Sequence, residues 1–158
     1  MEKKYVQSAL LIDRIDWDAV MSMPRYAGGH DDQMKGLFKN VTVLGHYNEG
    51  DYQGQVATCV RFNDTRDIVI YTDYYGSCSG CDAWEGADDE DVKKLCTDLA
   101  TGAYIFANLE DCIEFLKGAH LSRDVDFKWQ YGDCARGLLA EILETALEEA
   151  RKQLGGAQ

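Results

Sequence analysis

Three short runs rich in β-branched and aromatic residues form the clearest hydrophobic pattern in the chain. They span residues 41–47, 55–62 and 68–74. Segments with the Asn, Asp and Gly residues that favour tight turns separate the runs at residues 48–51 and 63–66. Because such short connections join neighbouring strands antiparallel, the pattern predicts a β-meander.

The N-terminal part has a weaker pattern. Alternating hydrophobic positions at residues 5–12 predict a first strand. Asp16 is suitably placed to cap a helix of about two turns, which Pro24 ends. Residues 25–36 contain three glycines and no hydrophobic period, so we expect a loop there.

The hydrophobic period lengthens in the second half of the chain, which indicates helices. One helix is predicted to begin with a cap at Asp88 or Asp89 and to end at Gly102. Another is predicted from Asn108, which resembles the start of a capping box, to Gly118.

A long amphipathic helix is predicted at about residues 134–154, and short strands are expected at 104–107 and 125–129. The apolar positions of the long helix spread around more than one face: Leu138, Leu139, Ile142, Leu143 and Leu147. This spread indicates a scaffold or self-association surface, and we expect a homodimer.

Together these elements predict an α+β fold. An antiparallel β-meander of three to five strands is expected to be covered on one face by helices. A chain of 158 residues is long enough to bury one core of its own. We therefore expect residues 1–158 to form a single domain, with its core at residues 41–118.

Charge is the unusual feature of the composition, with 28 Asp and Glu against 16 Lys and Arg and a formal net charge of -12. This excess disfavours direct contact with nucleic acid or an anionic membrane and fits a basic protein partner. The alternative is that acidity only keeps the protein soluble. No apolar stretch reaches the length of a signal-peptide core or a membrane span, so we expect a cytoplasmic protein.

Residues 71–84, YTDYYGSCSGCDAW, hold the most distinctive chemistry, including a C-x-x-C pair at Cys78 and Cys81. A zinc site would need two more ligands, and the sequence has no second C-x-x-C. A redox pair would need a stabilised thiolate, which the acidic neighbours disfavour. The simplest interpretation is a tight glycine-containing turn without a cofactor. A metal-binding or thiol-containing module, with zinc as its cofactor, is the alternative.

Other catalytic or metal-binding signals are weak. Metal ligation by His30, Asp31 and Asp32 is an alternative to a solvated turn. We find no glycine-rich phosphate loop and no nucleophile elbow. The sequence therefore favours a binding protein over an enzyme.

Two motifs carry a family resemblance, namely EGDYQG at residues 49–54 and YGSCSGCD at residues 75–82. Around them, residues 45–118 resemble a group of small uncharacterised acidic proteins carried by phages and prophages. The resemblance implies a phage or mobile-element setting and no particular activity. In that setting, small acidic proteins often inhibit host defence, and anti-CRISPR proteins are among them.

The expected partner-binding surface combines four carboxylates with three aromatic side chains: Asp88, Asp89, Glu90, Asp91, Tyr74, Tyr75 and Trp84. A defence effector that holds an RNA–DNA duplex lines its channel with Lys and Arg, and clustered carboxylates compete for such a channel. The alternative for the acids is a solvated helix start favoured by the helix dipole. The alternative for the aromatic residues is a small-ligand site that stacks on a nucleotide base.

Overall fold

A computed structural model describes residues 6–7, 9–25, 30–48, 54–75, 84, 86–122 and 132–156. Within this part of the chain, five strands form one sheet in which every pair is antiparallel. The strands are β1 Val6–Gln7, β2 Val41–Asn48, β3 Gly54–Phe62, β4 Ile68–Tyr75 and β5 Tyr104–Phe106. Their order across the sheet is β1-β5-β4-β3-β2.

The predicted β-meander is confirmed by the consecutive pairing of β2, β3 and β4. In its middle, Val60 lies opposite Val43 on one side and Val69 on the other. The turn between β3 and β4 is closed by a hydrogen bond of 2.9 Å from Arg66 N to Phe62 O, with Arg66 at φ 70. This left-handed backbone reverses the chain tightly and fixes the register of the hairpin.

Helices before and after the meander complete the α+β fold. They are the 3-10 helix Ala9–Arg14, α1 Trp17–Ser22, α2 His30–Lys35, α3 Asp89–Thr101, α4 Leu109–Ser122 and α5 Gly132–Gly156. The predicted cap of α1 is present, because Asp16 Oδ1 accepts a hydrogen bond of 3.2 Å from Ala19 N. Helix α4 continues through Gly118, where the sequence predicted its end.

One face of the sheet is covered by α4 and α5, which confirms the predicted packing of helices on a face. The side chains buried there include Leu44, Cys59, Ile70, Leu116 and Leu138. The opposite face is covered as well, by the 3-10 helix, α2 and α3. Because strand residues alternate between faces, β3 and β4 are buried on both sides.

In the N-terminal part, one prediction was right only in part and another was wrong. The strand expected at residues 5–12 is described only at Val6–Gln7 and gives way to the 3-10 helix. The loop expected at residues 25–36 contains α2, since Met34 is fully buried and anchors this helix in the core. The strand predicted at 125–129 lies outside the described residues.

Candidate functional site

The start of α3 holds the carboxylates that the sequence predicted as a binding surface, and all four are exposed: Asp88, Asp89, Glu90 and Asp91. We call these four residues the acidic face. Asp88 Oδ1 accepts a hydrogen bond of 2.8 Å from Asp91 N, and Asp91 Oδ2 accepts one of 3.2 Å from Asp88 N. This reciprocal capping box satisfies backbone donors that would otherwise lack partners at the helix start. It therefore fixes the position of the acidic face.

Arg25 joins the end of α1 to the acidic face. Its Nη2 lies 2.7 Å from Asp89 Oδ1, and its Nη1 donates a hydrogen bond of 3.0 Å to Ala87 O. Glu90 forms a second ion pair, of 3.3 Å, with Lys93 one turn along the helix. The side chains of Asp89 and Glu90 are themselves 76% and 83% exposed, so both carboxylates remain accessible to a cation on a partner.

Further exposed carboxylates lie on elements that pack against α3. The 3-10 helix and α1 both contact α3, and they carry the exposed residues Asp13 and Asp18. These contacts bring together chain segments about 70 residues apart, as the positions of Asp18 and Asp88 show, and both segments carry exposed carboxylates. No local sequence pattern connects the two segments, so their contact could not be predicted from the sequence.

The aromatic residues expected beside the acids have different positions. Trp84 is only 1% exposed, and its Nε1 donates a hydrogen bond of 3.1 Å to Asp73 Oδ2. Its indole therefore fills the core before α3 and lines no surface in this conformation. Tyr74 and Tyr75 belong to the end of β4, but the placement of their side chains lies outside the described structure.

Cys78 and Cys81 also lie outside the described residues, so the structure bears on neither the zinc nor the thiol alternative. The four cysteines that are described are all buried: Cys59, Cys96, Cys112 and Cys134. Burial and the nearby Asp73 carboxylate raise the pKa of Cys96 to about 12. Burial, together with the neighbouring Cys112 thiol, raises the pKa of Cys59 well above its ordinary value. Such thiols are poor nucleophiles at neutral pH.

A polar chain that the sequence analysis did not predict connects α2 to β2 and β3. His46 lies between two partners, with Nε2 2.7 Å from Asp31 Oδ1 and Nδ1 2.8 Å from Thr58 Oγ1. Asn48 Nδ2 donates a hydrogen bond of 3.1 Å to the same carboxylate oxygen. This order of hydroxyl, imidazole and carboxylate occurs in hydrolases, but Thr58 is fully buried and no substrate can reach its hydroxyl. The hydrogen-bonded side chains of Asp31, His46 and Thr58 therefore form a structural polar network.

The described part of the chain contains no group of three or more His, Cys, Asp or Glu side chains placed to hold a metal ion. Of the metal ligands considered at residues 30–32, Asp31 accepts hydrogen bonds from His46 and Asn48. Among the described helices, none combines the length and the apolar character needed to cross a membrane.

No protein-family model matches this chain, and neither a curated protein nor a solved structure shows significant similarity to it. Function is therefore inferred from the residues themselves and from their geometry.

Proposed function

We propose that this protein is a non-enzymatic binding protein that docks its acidic face on a basic protein. In the phage setting implied by the two sequence motifs, the partner is a nucleic-acid-binding host defence protein, and binding occurs in the host cytoplasm. The acidic face then occupies a groove that would otherwise hold nucleic acid, as an anti-CRISPR-like inhibitor does.

One observation carries the proposal: four consecutive exposed carboxylates stand on a helix start that a capping box holds in place. Because this backbone is already ordered, binding loses less conformational entropy than it would with a mobile acidic loop. The net charge of -12 adds a long-range attraction toward a basic partner, which speeds association.

The test reverses charge without disturbing the cap. Asp89→Lys with Glu90→Lys leaves Asp88 and Asp91 in place. Glu114→Lys with Glu148→Lys, at exposed positions on α4 and α5, makes the same change in net charge elsewhere and is the matched control. Circular dichroism verifies the fold of both variants.

Each immobilised protein is exposed to lysate from a bacterial host, with and without its defence system, and bound proteins are eluted with rising salt. We expect the wild type and the control to retain a basic nucleic-acid-binding protein that high salt releases, because salt screens charges beyond about 8 Å at physiological ionic strength. The Asp89→Lys, Glu90→Lys variant should not retain this basic protein. Capture of the same protein by both variants, with the same salt dependence, would rule out the acidic face as the docking site.

A further inference from the structure

Helix α5 has two apolar faces. One of them packs against the sheet and α4. Leu138 and Ile142 are buried against the sheet. Leu143, Leu147 and Leu154 remain 47%, 53% and 74% exposed. Single exposed leucines are ordinary on protein surfaces, but a row of them along one helix indicates an interaction surface.

The exposed positions follow a regular spacing. Leu143, Leu147, Ala150 and Leu154 are separated by four, three and four residues, as in the apolar seam of a coiled coil. We call these four residues the α5 seam. At about 100° per residue, the seam is centred roughly 130° around the helix from the buried face. The α5 seam is thus separate from the surface that holds α5 to the sheet.

The last two turns of α5 extend past its anchor. Glu149 forms an ion pair of 3.1 Å with Arg61 of β3, and every residue from 150 to 155 is exposed. Short helical ends without tertiary contacts are marginally stable in water. Contact along the α5 seam would stabilise these two turns.

We propose that the α5 seam pairs antiparallel with the same seam of a second copy of this chain, about a two-fold axis. Leu143 then packs against the partner's Leu154, and Leu147 packs against the partner's Ala150. The two-fold axis repeats both contacts, so four layers form in the order Leu–Leu, Leu–Ala, Ala–Leu and Leu–Leu. An isologous interface of this kind closes on itself and gives a dimer, not a fibre.

Charge complementarity favours a second copy of this chain as the partner. It also favours an antiparallel arrangement of the two α5 helices. Glu144 and Arg151 are exposed beside the α5 seam, each following a residue of the seam. In the antiparallel pair, each Glu144 lies near the partner's Arg151, which gives two opposite-charge contacts per dimer. A parallel pair would place Arg151 near the partner's Ala146 and would form no such contact.

The first experiment measures self-association by sedimentation velocity from about 1 to 500 µM, a range that detects weak dimers. We expect the wild type to shift from monomer to dimer. Leu147→Glu removes two layers and should raise the dissociation constant at least about tenfold. Lys152→Glu, at an exposed position outside the seam, is the control and should change it little. A wild type that stays monomeric, or a dimer that Leu147→Glu leaves intact, would overturn the proposal.

The second experiment tests the antiparallel direction by exchanging charges. Glu144→Arg and Arg151→Glu should each weaken the dimer several-fold, because each places like charges together twice. The double variant should recover wild-type affinity, and mixing the two single variants should produce a heterodimer in which both pairs are complementary. If the double variant is as weak as the single variants, the antiparallel register is wrong. Neither experiment involves the acidic face, so the outcome is independent of the proposed function.

Discussion

The carboxylate of Asp31 joins helix α2 to the sheet through His46 and Asn48 of strand β2. The residues next to Asp31 in the sequence do not predict this contact. Burial by itself would raise its pKa, but hydrogen bonds from His46 and Asn48, with the charges of His46 and Lys35, lower the pKa below its ordinary value. Because an ionised carboxylate only accepts hydrogen bonds, His46 donates through Nε2. The contact ties the short helix α2 to the sheet.

Removing this carboxylate should make stability depend less on pH. Since the pKa of Asp31 is lower in the folded state, its stabilisation is present above the ordinary value of 3.8 and disappears as pH falls through the folded pKa. We expect Asp31→Asn to cost about 1 kcal/mol at neutral pH, a small amount because solvent partly screens the pair.

The check is chemical denaturation of both proteins between neutral pH and pH of about 3. The difference in free energy of unfolding between wild type and Asp31→Asn should decrease as the solution is acidified. Asp32→Asn, at the exposed neighbouring position in the same helical turn, is the control for loss of charge near the helix dipole. A constant difference between Asp31→Asn and wild type across this range would contradict the assigned role.

At the scale of an element, α3 shows how one group of acids serves two purposes. Asp88 and Asp91 hold the helix start through the capping box, whereas Asp89 and Glu90 form ion pairs with the side chains of Arg25 and Lys93. The two inner carboxylates can therefore change without loss of the helix. This division determines which residues a binding experiment should replace.

The capping role predicts a difference between two substitutions of the same side chain. Asp88→Ala removes the acceptor for Asp91 N and should lower the free energy of unfolding by about 1 kcal/mol. Asp88→Asn keeps an acceptor oxygen and should cost only a few tenths of that amount. Urea denaturation measures both, and equal losses for the two variants would show that the cap does not stabilise α3.

At the scale of the whole molecule, helices cover both faces of the sheet, and α5 packs closely against β2. A Cβ added at Gly137 of α5 would lie 2.5 Å from ring atoms of Tyr47 on β2. At Gly45 of β2, an added Cβ would lie 3.0 Å from Ile142 Cγ1. Glycine at these facing positions lets helix and strand pack without a gap.

Two glycine-to-alanine substitutions should therefore have opposite effects. Alanine favours a helix over glycine by about 1 kcal/mol. At Gly118, within α4, an added Cβ meets nothing within 4 Å, and Gly118→Ala should stabilise the protein. At Gly137, displacement of the Tyr47 ring should outweigh the propensity gain, so Gly137→Ala should destabilise it by about 1–3 kcal/mol. Thermal unfolding shows whether each variant is more or less stable than wild type. Stabilisation by Gly137→Ala would contradict the close packing of α5.

Local sequence patterns determined most elements of this protein. The strands of the meander, the cap of α1 and the capped start of α3 were predicted because turn residues, side-chain alternation and capping side chains act over a few positions. The exposed acids at the start of α3 were predicted for the same reason. The long C-terminal helix and its second apolar face were also visible, since helical periodicity is local.

Tertiary structure decided where β5 and β1 join the sheet, which face each helix covers, and how distant polar groups meet. Residues 31 and 46 form a hydrogen bond and residues 25 and 89 form an ion pair, although neither pair shares a local pattern. Burial of Met34 stabilises helix α2 in a segment whose composition predicts a loop. Trp84, which was expected on the binding surface, is buried in the core. The physical reason is the same in each case. Burial and pairing depend on contacts between segments far apart in the chain, and those contacts exist only after the sheet has assembled.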